Sequence, residues 1–198
     1  MISAYKKILE NVVSKLDSRP VLKGVHYEKG NIVATDSHQL VKFSGINEDT
    51  EMTATIDLST YLPITESNYP ETDRIIPTDH TTQLIFHDPS ELTGLVSYLK
   101  ACKKQVVTLS INTEGLLLKE KDNAGMSYSQ AVDWEGEELE LNFTASYLYN
   151  ALAYLDRLHH ECFSKFDGDI TINFTSPLRP FTVEYGKMVY VVTPVRIY

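Results

Sequence analysis

The chain has 198 residues, of which 42% are hydrophobic, and it carries a formal net charge of -9. This length suits one large or two small globular domains, and this apolar content is sufficient for a packed core. The acidic balance excludes a protein that coats nucleic acid with its whole surface, although a local basic stripe is still allowed. No apolar run is long enough for a membrane span or a signal peptide, so we expect a cytoplasmic protein without membrane contacts.

The first third of the chain predicts one helix followed by strands. Apolar residues recur at helical spacing over residues 2–16. Residues 21–43 predict a strand pair that reverses at 28–31, where Gly30 and Asn31 suit a tight turn. Residues 52–58 alternate like a strand, and residues 59–64 predict about one helical turn that ends at Pro63.

A polar, turn-rich segment at residues 66–73 predicts a boundary between two domains, 1–77 and 78–198. Beyond it, Asp88 and Pro89 predict a helix start, because Asp suits the N-cap and Pro the first helical position. We expect helices at 88–104 and 145–160 and strands at 82–87, 105–112, 116–120, 139–143, 169–174, 180–185 and 188–192. Segregated strands and helices indicate an α+β fold with antiparallel sheets and helices on one face.

Two constellations raise the question of enzymatic or metal chemistry. Asp36, Ser37 and His38 include an acid, a serine and a histidine, but adjacent side chains diverge, so a turn held by Asp36 is the favoured interpretation. His159, His160 and Cys162 are candidate zinc ligands, yet a zinc site needs four converging ligands and only one local cluster is visible. We expect no enzyme activity, no catalytic residue, no metal and no cofactor, and an enzyme that uses either constellation is the third hypothesis.

The two cysteines, Cys102 and Cys162, both fall in helical patterns. Free thiols in a reducing compartment are the preferred interpretation.

Three segments in the same order carry a family resemblance. They are SRPVLKGVH at 18–26 running into IVATDSHQL at 32–40, NYPETDRIIP at 68–77, and residues 135–198, which end in VVTPVRIY. These segments resemble the bacterial DNA sliding clamp, the beta subunit of DNA polymerase III. The resemblance implies a sliding-clamp fold in which a shortened domain at 1–77, similar to the family's middle domain, precedes one complete clamp domain at 78–198. The family's N-terminal domain has no counterpart in the chain.

The resemblance also implies a groove between the two domains that binds peptides of polymerases and repair proteins. The residues that match the family's groove are Leu22, Thr35, Ser37, His38, Gln39, Leu40, Pro70, Arg74, Ile75, Thr144, Tyr147, Leu178, Pro180, Val191, Val192, Thr193, Pro194, Val195 and Arg196. Two of them depart from the family pattern: Gln39 stands where Arg is frequent, and Thr144 where Asn is frequent. Both departures concern the choice of partner.

Clamp helices face double-stranded DNA, so the resemblance implies a DNA-facing set of basic residues, namely Lys6, Lys7, Lys15, Lys100, Lys103, Lys104 and Arg157. It also implies a homo-oligomer, with a trimeric ring, a smaller open oligomer and a monomer as the open states. We expect a non-enzymatic clamp-like protein that binds replication proteins and acts as a processivity factor. The alternative is a decoy or adaptor that captures clamp-binding proteins without encircling DNA.

Overall fold

A computed structural model describes residues 3–65, 68–121 and 126–196. The helices are α1 (Ser3–Val12), α2 (Thr93–Cys102), α3 (Ala145–Leu152) and α4 (Leu155–Glu161). The strands are β1 (Gly24–Glu28), β2 (Asn31–Thr35), β3 (Gln39–Phe43), β4 (Ala54–Asp57), β5 (Thr82–Phe86), β6 (Val106–Asn112), β7 (Gly115–Glu120), β8 (Ser127–Gln130), β9 (Asp133–Gly136), β10 (Leu139–Thr144), β11 (Ile170–Phe174), β12 (Phe181–Tyr185) and β13 (Met188–Val192). None of the helices in these ranges is long and apolar enough to cross a membrane.

The strands form two antiparallel sheets. One sheet has the order β4-β1-β2-β3-β13-β12-β11-β5-β9, and the other has the order β10-β6-β7-β8. Strand β3 of the first predicted domain pairs with β13 of the second, so that Leu40 lies opposite Val191. The predicted α+β class with antiparallel sheets is confirmed. The predicted halves share the larger sheet, and the boundary at residue 77 stays a prediction.

One apolar core connects the two halves beneath the helices. Helix α1 packs on β2 and β3, and α3 packs on β13, as expected for helices on one face of a sheet. The ring of Tyr5 in α1 meets Phe43 of β3 edge-on at 4.9 Å between centroids, and it lies 5.6 Å from Phe166. Because Phe166 belongs to the second half, burial of Tyr5 stabilises the junction as well as its own helix.

The predicted helix start at Asp88 is confirmed, whereas two predicted helix ends lie too far along the chain. The carboxylate of Asp88 accepts a hydrogen bond from the Ser90 amide at 2.8 Å, and a 3-10 turn from Pro89 to Leu92 leads into α2. Helix α2 ends at Cys102 because Lys103 leaves the helical conformation, with a positive φ of 54° and ψ -117°. Helix α1 ends at Val12, four residues before the predicted end.

Three further secondary-structure predictions are corrected. The predicted strand pair at 21–43 begins with a 3-10 turn and holds three strands, β1, β2 and β3. The predicted helix at 145–160 is two helices, α3 and α4, although its apolar spacing runs through the break and gives no sign of it. Strands β8 and β9 were not predicted, because their Ser, Gln, Asp, Glu and Gly residues have low strand propensity.

Residues 59–64 cover the edge of β4 instead of forming the predicted helical turn. The Asp57 carboxylate accepts hydrogen bonds from the Ser59 and Thr60 amides and closes a reversal. The returning chain pairs with β4, where the Ile64 amide donates to the Thr55 carbonyl at 2.8 Å and Pro63 bridges Ile56. Because proline has no amide hydrogen, it also discourages another strand from pairing at this edge.

At the opposite end of the sheet, a histidine holds the edge strand β9. His87 contacts Asp169 through Nδ1 at 2.9 Å and Asp133 of β9 through Nε2 at 3.1 Å. Hydrogen bonds to Asp169 and then to Asp133 raise the pKa of His87 to about 9. The protonated ring therefore connects three neighbouring strand ends at neutral pH.

Candidate functional site

An apolar pocket lies on the face of the larger sheet that is turned away from the helices, where β3 meets β13. Its volume is about 180 Å³. The residues that line it are Thr35, Ser37, His38, Gln39, Leu40, Ile75, Pro180, Val191 and Thr193. All nine belong to the nineteen positions that the family resemblance assigned to a groove. They come from β2, β3 and the turn between them, from β13 and the residue after it, from the 68–77 segment and from the residue before β12.

The floor of the pocket is a small apolar cluster separate from the main core. Leu40 and Val191 are paired across β3 and β13, and with Val33 they are at least 94% buried. Tyr69 and Ile76 of the connecting segment pack on this cluster. Strand alternation explains the separation, because Val191 faces this cluster whereas its neighbour Val192 faces the main core.

One rim of the pocket is the β2–β3 turn, and Asp36 holds it. Its Oδ1 atom accepts hydrogen bonds from the amides of His38 and Gln39 at 2.8 and 2.9 Å. The Thr35 hydroxyl donates to the Gln39 carbonyl at 2.7 Å, and Ser37 adopts a positive φ of 82°. The structure therefore shows the turn that the sequence favoured over a Ser-His-Asp triad.

The chain after β13 is tied to the same turn. The amide and the hydroxyl of Thr193 both donate to the His38 carbonyl, at 3.1 and 2.8 Å. The ring of His38 stacks on Tyr147 of α3, with 6.1 Å between centroids and 6° between planes. Burial, and then the nearby Asp36 carboxylate, raise the pKa of Tyr147. Residues from both predicted domains thus fix the rim.

The side-chain amide of Gln39 points away from the pocket and joins four elements. Its Nε2 donates to the Asn11 carbonyl at 3.1 Å and to Asp36 at 2.9 Å. Its Oε1 accepts from the hydroxyl of Tyr190 at 2.6 Å and from Asn150 at 3.3 Å. A buried amide with all of these partners rigidifies its surroundings. Gln39 therefore connects α1, α3, β13 and the β2–β3 turn behind the pocket.

Ten predicted groove residues do not line the pocket. Leu22 and Val192 are buried, and Val192 belongs to the main core on the other face of the sheet. Pro70 and Arg74 line a separate polar pocket of about 420 Å³ over β1 and β2. The other six are Thr144 and Tyr147 at the start of α3, the exposed Leu178 and Arg196, and Pro194 and Val195, which pair with β10.

Sequence reasoning missed three residues of the apolar cluster that contains Leu40 and Val191. Val33 lies two residues before Thr35 on β2, so the period-two rule places both on the same face. That signal was available in the sequence. Tyr69 and Ile76 gave no periodic signal, because they lie in an irregular segment whose path only the packing determines.

The predicted DNA-facing residues differ in how strongly they are neutralised. Lys6 and Lys7 both approach Glu10, and Arg157 pairs with Glu161. By contrast Lys100, Lys103 and Lys104 are exposed at the end of α2, and no carboxylate within the described ranges lies within 4 Å of them. Lys15 is exposed beyond α1. The end of α2 therefore carries three basic side chains without a carboxylate partner among the described residues.

The histidine cluster has structural contacts. His159 contacts the hydroxyl of Tyr185, which in turn donates to the Phe166 carbonyl at 2.8 Å. Burial, and then the Cys162 thiol, raise the pKa of Tyr5. Over residues 3–65, 68–121 and 126–196, no three His, Cys, Asp or Glu side chains gather as metal ligands. Cys102 and Cys162 are free thiols.

Comparison with known proteins shows a consistent similarity in sequence. The beta sliding clamp of Streptococcus pneumoniae is 26% identical over an alignment that covers 96% of this chain and 62% of the relative. The beta sliding clamp of Bacillus subtilis is 27% identical over an alignment that covers 94% of this chain and 60% of the relative. The chain thus spans about 60% of the length of these relatives. The S. pneumoniae alignment extends over 251 residues, more than the 198 of this chain, so it contains gaps opposite the chain. No family model matches.

The fold is shared more closely than the sequence. The solved sliding clamp of B. subtilis superposes with a TM-score of 0.75 at 24% identity, covering 98% of this chain and 62% of the other. The solved DNA polymerase III beta chain of S. pneumoniae superposes with a TM-score of 0.76 at 23% identity, with the same coverage. The predicted sliding-clamp fold and the family resemblance are therefore confirmed.

Proposed function

We propose that this chain, which resembles the bacterial DNA sliding clamps in sequence and shares their fold, is a non-enzymatic cytoplasmic protein that binds peptide segments of DNA polymerases and other replication proteins. The observation that carries the proposal is the convergence of nine predicted groove residues on one pocket with an apolar floor. Such a floor can bury an apolar side chain of a partner peptide, and the fixed polar groups of the rim can set the direction of that peptide.

The size of the pocket indicates how a partner would bind. Sites for whole small molecules measure roughly 300–1,000 Å³. At about 180 Å³, this pocket is smaller and suits one or two anchoring side chains of a peptide that continues along the surface. The hydroxyls of Thr35 and Thr193 already donate within the rim. Burial of apolar side chains would therefore contribute more to affinity than hydrogen bonds to these two hydroxyls.

We propose that the helix layer faces DNA and that the chain supports processive synthesis. Lys100, Lys103 and Lys104 would supply sequence-independent phosphate contacts in an otherwise acidic protein. A homo-oligomer is part of this proposal. Because residues 62–64 cover the edge of β4, contacts between chains would involve other surfaces. Size-exclusion chromatography with light scattering tests it, and a monomer at micromolar concentration would count against a ring.

Primer extension tests the function directly. A linear primed template allows a ring to thread over its end, so the chain is added with the replicative polymerase of the same organism. We expect longer products, and we expect excess clamp-binding pentapeptide to shorten them again because it occupies the pocket.

A decoy would give the opposite result, with suppressed synthesis that excess peptide relieves. This alternative has no support in the comparisons, whose relatives are named as sliding clamps. Products of unchanged length, with and without peptide, would contradict both functions.

A further inference from the structure

The pocket has a basic rim in an acidic chain. The sequence contains only five arginines, against 27 acidic residues. Three of the five adjoin residues that line the pocket: Arg74 precedes Ile75, Arg179 precedes Pro180, and Arg19 donates to the hydroxyl of Ser37. No acidic residue lines the pocket itself. The pocket is therefore flanked by arginines in the chain and has no carboxylate in its lining.

The acidic groups nearest this rim are already engaged. Both oxygens of Asp36 accept hydrogen bonds within the turn. Asp73 pairs with Lys42 at 2.7 Å, and Glu71 pairs with Arg74 at 2.8 Å. The Glu71–Arg74 pair is more than 70% exposed on both sides, so a competing carboxylate would displace it at little cost.

Two arginines retain their capacity for a carboxylate. Arg19 and Arg179 are exposed, and no carboxylate in the described part of the chain lies within 4 Å of either. A guanidinium offers a planar pair of donors that matches a carboxylate. Since screening limits such attraction to about 10 Å at 0.1 M salt, the distant acidic surface does not cancel it.

We infer that the peptide segment that docks here is acidic, with carboxylates flanking its apolar anchors. This inference rests on the proposed function and names the chemistry of its partner. The apolar floor holds the anchors, and Arg19 and Arg179 receive the flanking carboxylates, while Arg74 of the polar pocket can receive one from a longer segment. Charges at the rim of an interface mainly select partners and speed association. The basic rim thus allows an acidic protein to bind an acidic segment at this pocket.

The test uses three fluorescent peptides with the same Leu and Phe anchors, flanked by Asp, by Ser or by Lys. Anisotropy titrations are run at about 0.05 M salt, where charges are weakly screened, and at about 0.5 M salt, where they are strongly screened. At low salt we expect the Asp peptide to bind at least about tenfold more tightly than the Lys peptide, which corresponds to about 1.4 kcal/mol. The difference should shrink at high salt.

Substitution of single arginines distinguishes the effect of the rim on peptide affinity from the effect of the protein's net charge. Arg179→Gln should lower the affinity for the Asp peptide and leave the affinity for the Ser peptide unchanged. The matched control is Arg157→Gln, because Arg157 pairs with Glu161 on α4 and does not line the pocket. Equal binding of all three peptides would overturn the inference but leave the proposed function standing. No binding of any peptide would overturn both.

Discussion

Replacing Ile75 by Asp is expected to weaken binding of a clamp-binding pentapeptide by about thirtyfold or more. The wild-type chain should bind such a peptide with micromolar affinity, about -8 kcal/mol. Ile75 is 53% exposed and lines the pocket, so a bound apolar side chain would cover it. A carboxylate there removes an apolar contact and must be desolvated on binding, which together cost about 2 kcal/mol or more. Fluorescence anisotropy measures the change.

The matched control is Leu62→Asp. Leu62 is 64% exposed, and it lies at the covered edge of β4, three strands away from β3. The two substitutions make a similar change in charge and apolar surface, and neither removes a buried side chain. Both variants should keep the wild-type unfolding midpoint. Equal affinity of Ile75→Asp and Leu62→Asp for the peptide would mean that the binding site lies elsewhere.

These exposed positions are better probes than buried wall residues. Leu22 and Val192 also belong to the predicted groove, but they are 6% and 0% exposed. A charge at either position would destabilise the fold itself, and loss of binding would then say nothing about the groove. Leu178 is 59% exposed and does not line the pocket, so Leu178→Asp can test the predicted groove beyond the pocket without removing a buried side chain.

Replacing Gln39 by Leu is expected to lower the free energy of unfolding by about 3 kcal/mol. Leu has a similar volume but cannot bond the hydroxyl of Tyr190, which is 0% exposed, or the carbonyl of Asn11. Each buried polar group left without a partner costs about 1–3 kcal/mol. Urea unfolding followed by fluorescence measures the loss, with the slope m checked for two-state behaviour.

Gln83→Leu is the control for this variant. Gln83 is only half-buried on the opposite face of the same sheet, and its amide donates a hydrogen bond to Asn173 at 2.7 Å. Its loss should cost about 1 kcal/mol, because one hydrogen bond is removed instead of the four that Gln39 makes. If Gln39→Leu were no more destabilising than Gln83→Leu, Gln39 would not join the two halves in the way described.

The network around Gln39 also gives a physical reason for one departure from the family pattern. Arginine is frequent at this position in the family, but it offers only donors, whereas glutamine also offers an acceptor oxygen. In this chain that oxygen accepts from Tyr190 and Asn150. The residue at this position therefore supports the pocket from behind, and partner choice would depend more directly on the exposed rim.

The sequence predicted those elements whose own residues determine them. The cap at Asp88, the alternating strands and the turn at Asp36 depend on neighbours in the chain, and all three are present in the structure. The sequence did not predict β8 and β9, because strands of low propensity form only where a partner strand is already in place. The helix break after Leu152 has the same kind of cause, since the apolar spacing continues across it.

By itself, the sequence determined the α+β class and the strands near the chain end, and the family resemblance pointed to nine residues that line one pocket. Only the tertiary structure decided which residues of the predicted groove face that pocket. On β13, Val191 and Val192 are both apolar, and the pairing with β3 assigns one to the pocket and the other to the core. Gln39 and the basic rim likewise depend on residues far apart in the chain. Local patterns report which side chains share a strand face, but the sides of the sheet are assigned by long-range packing.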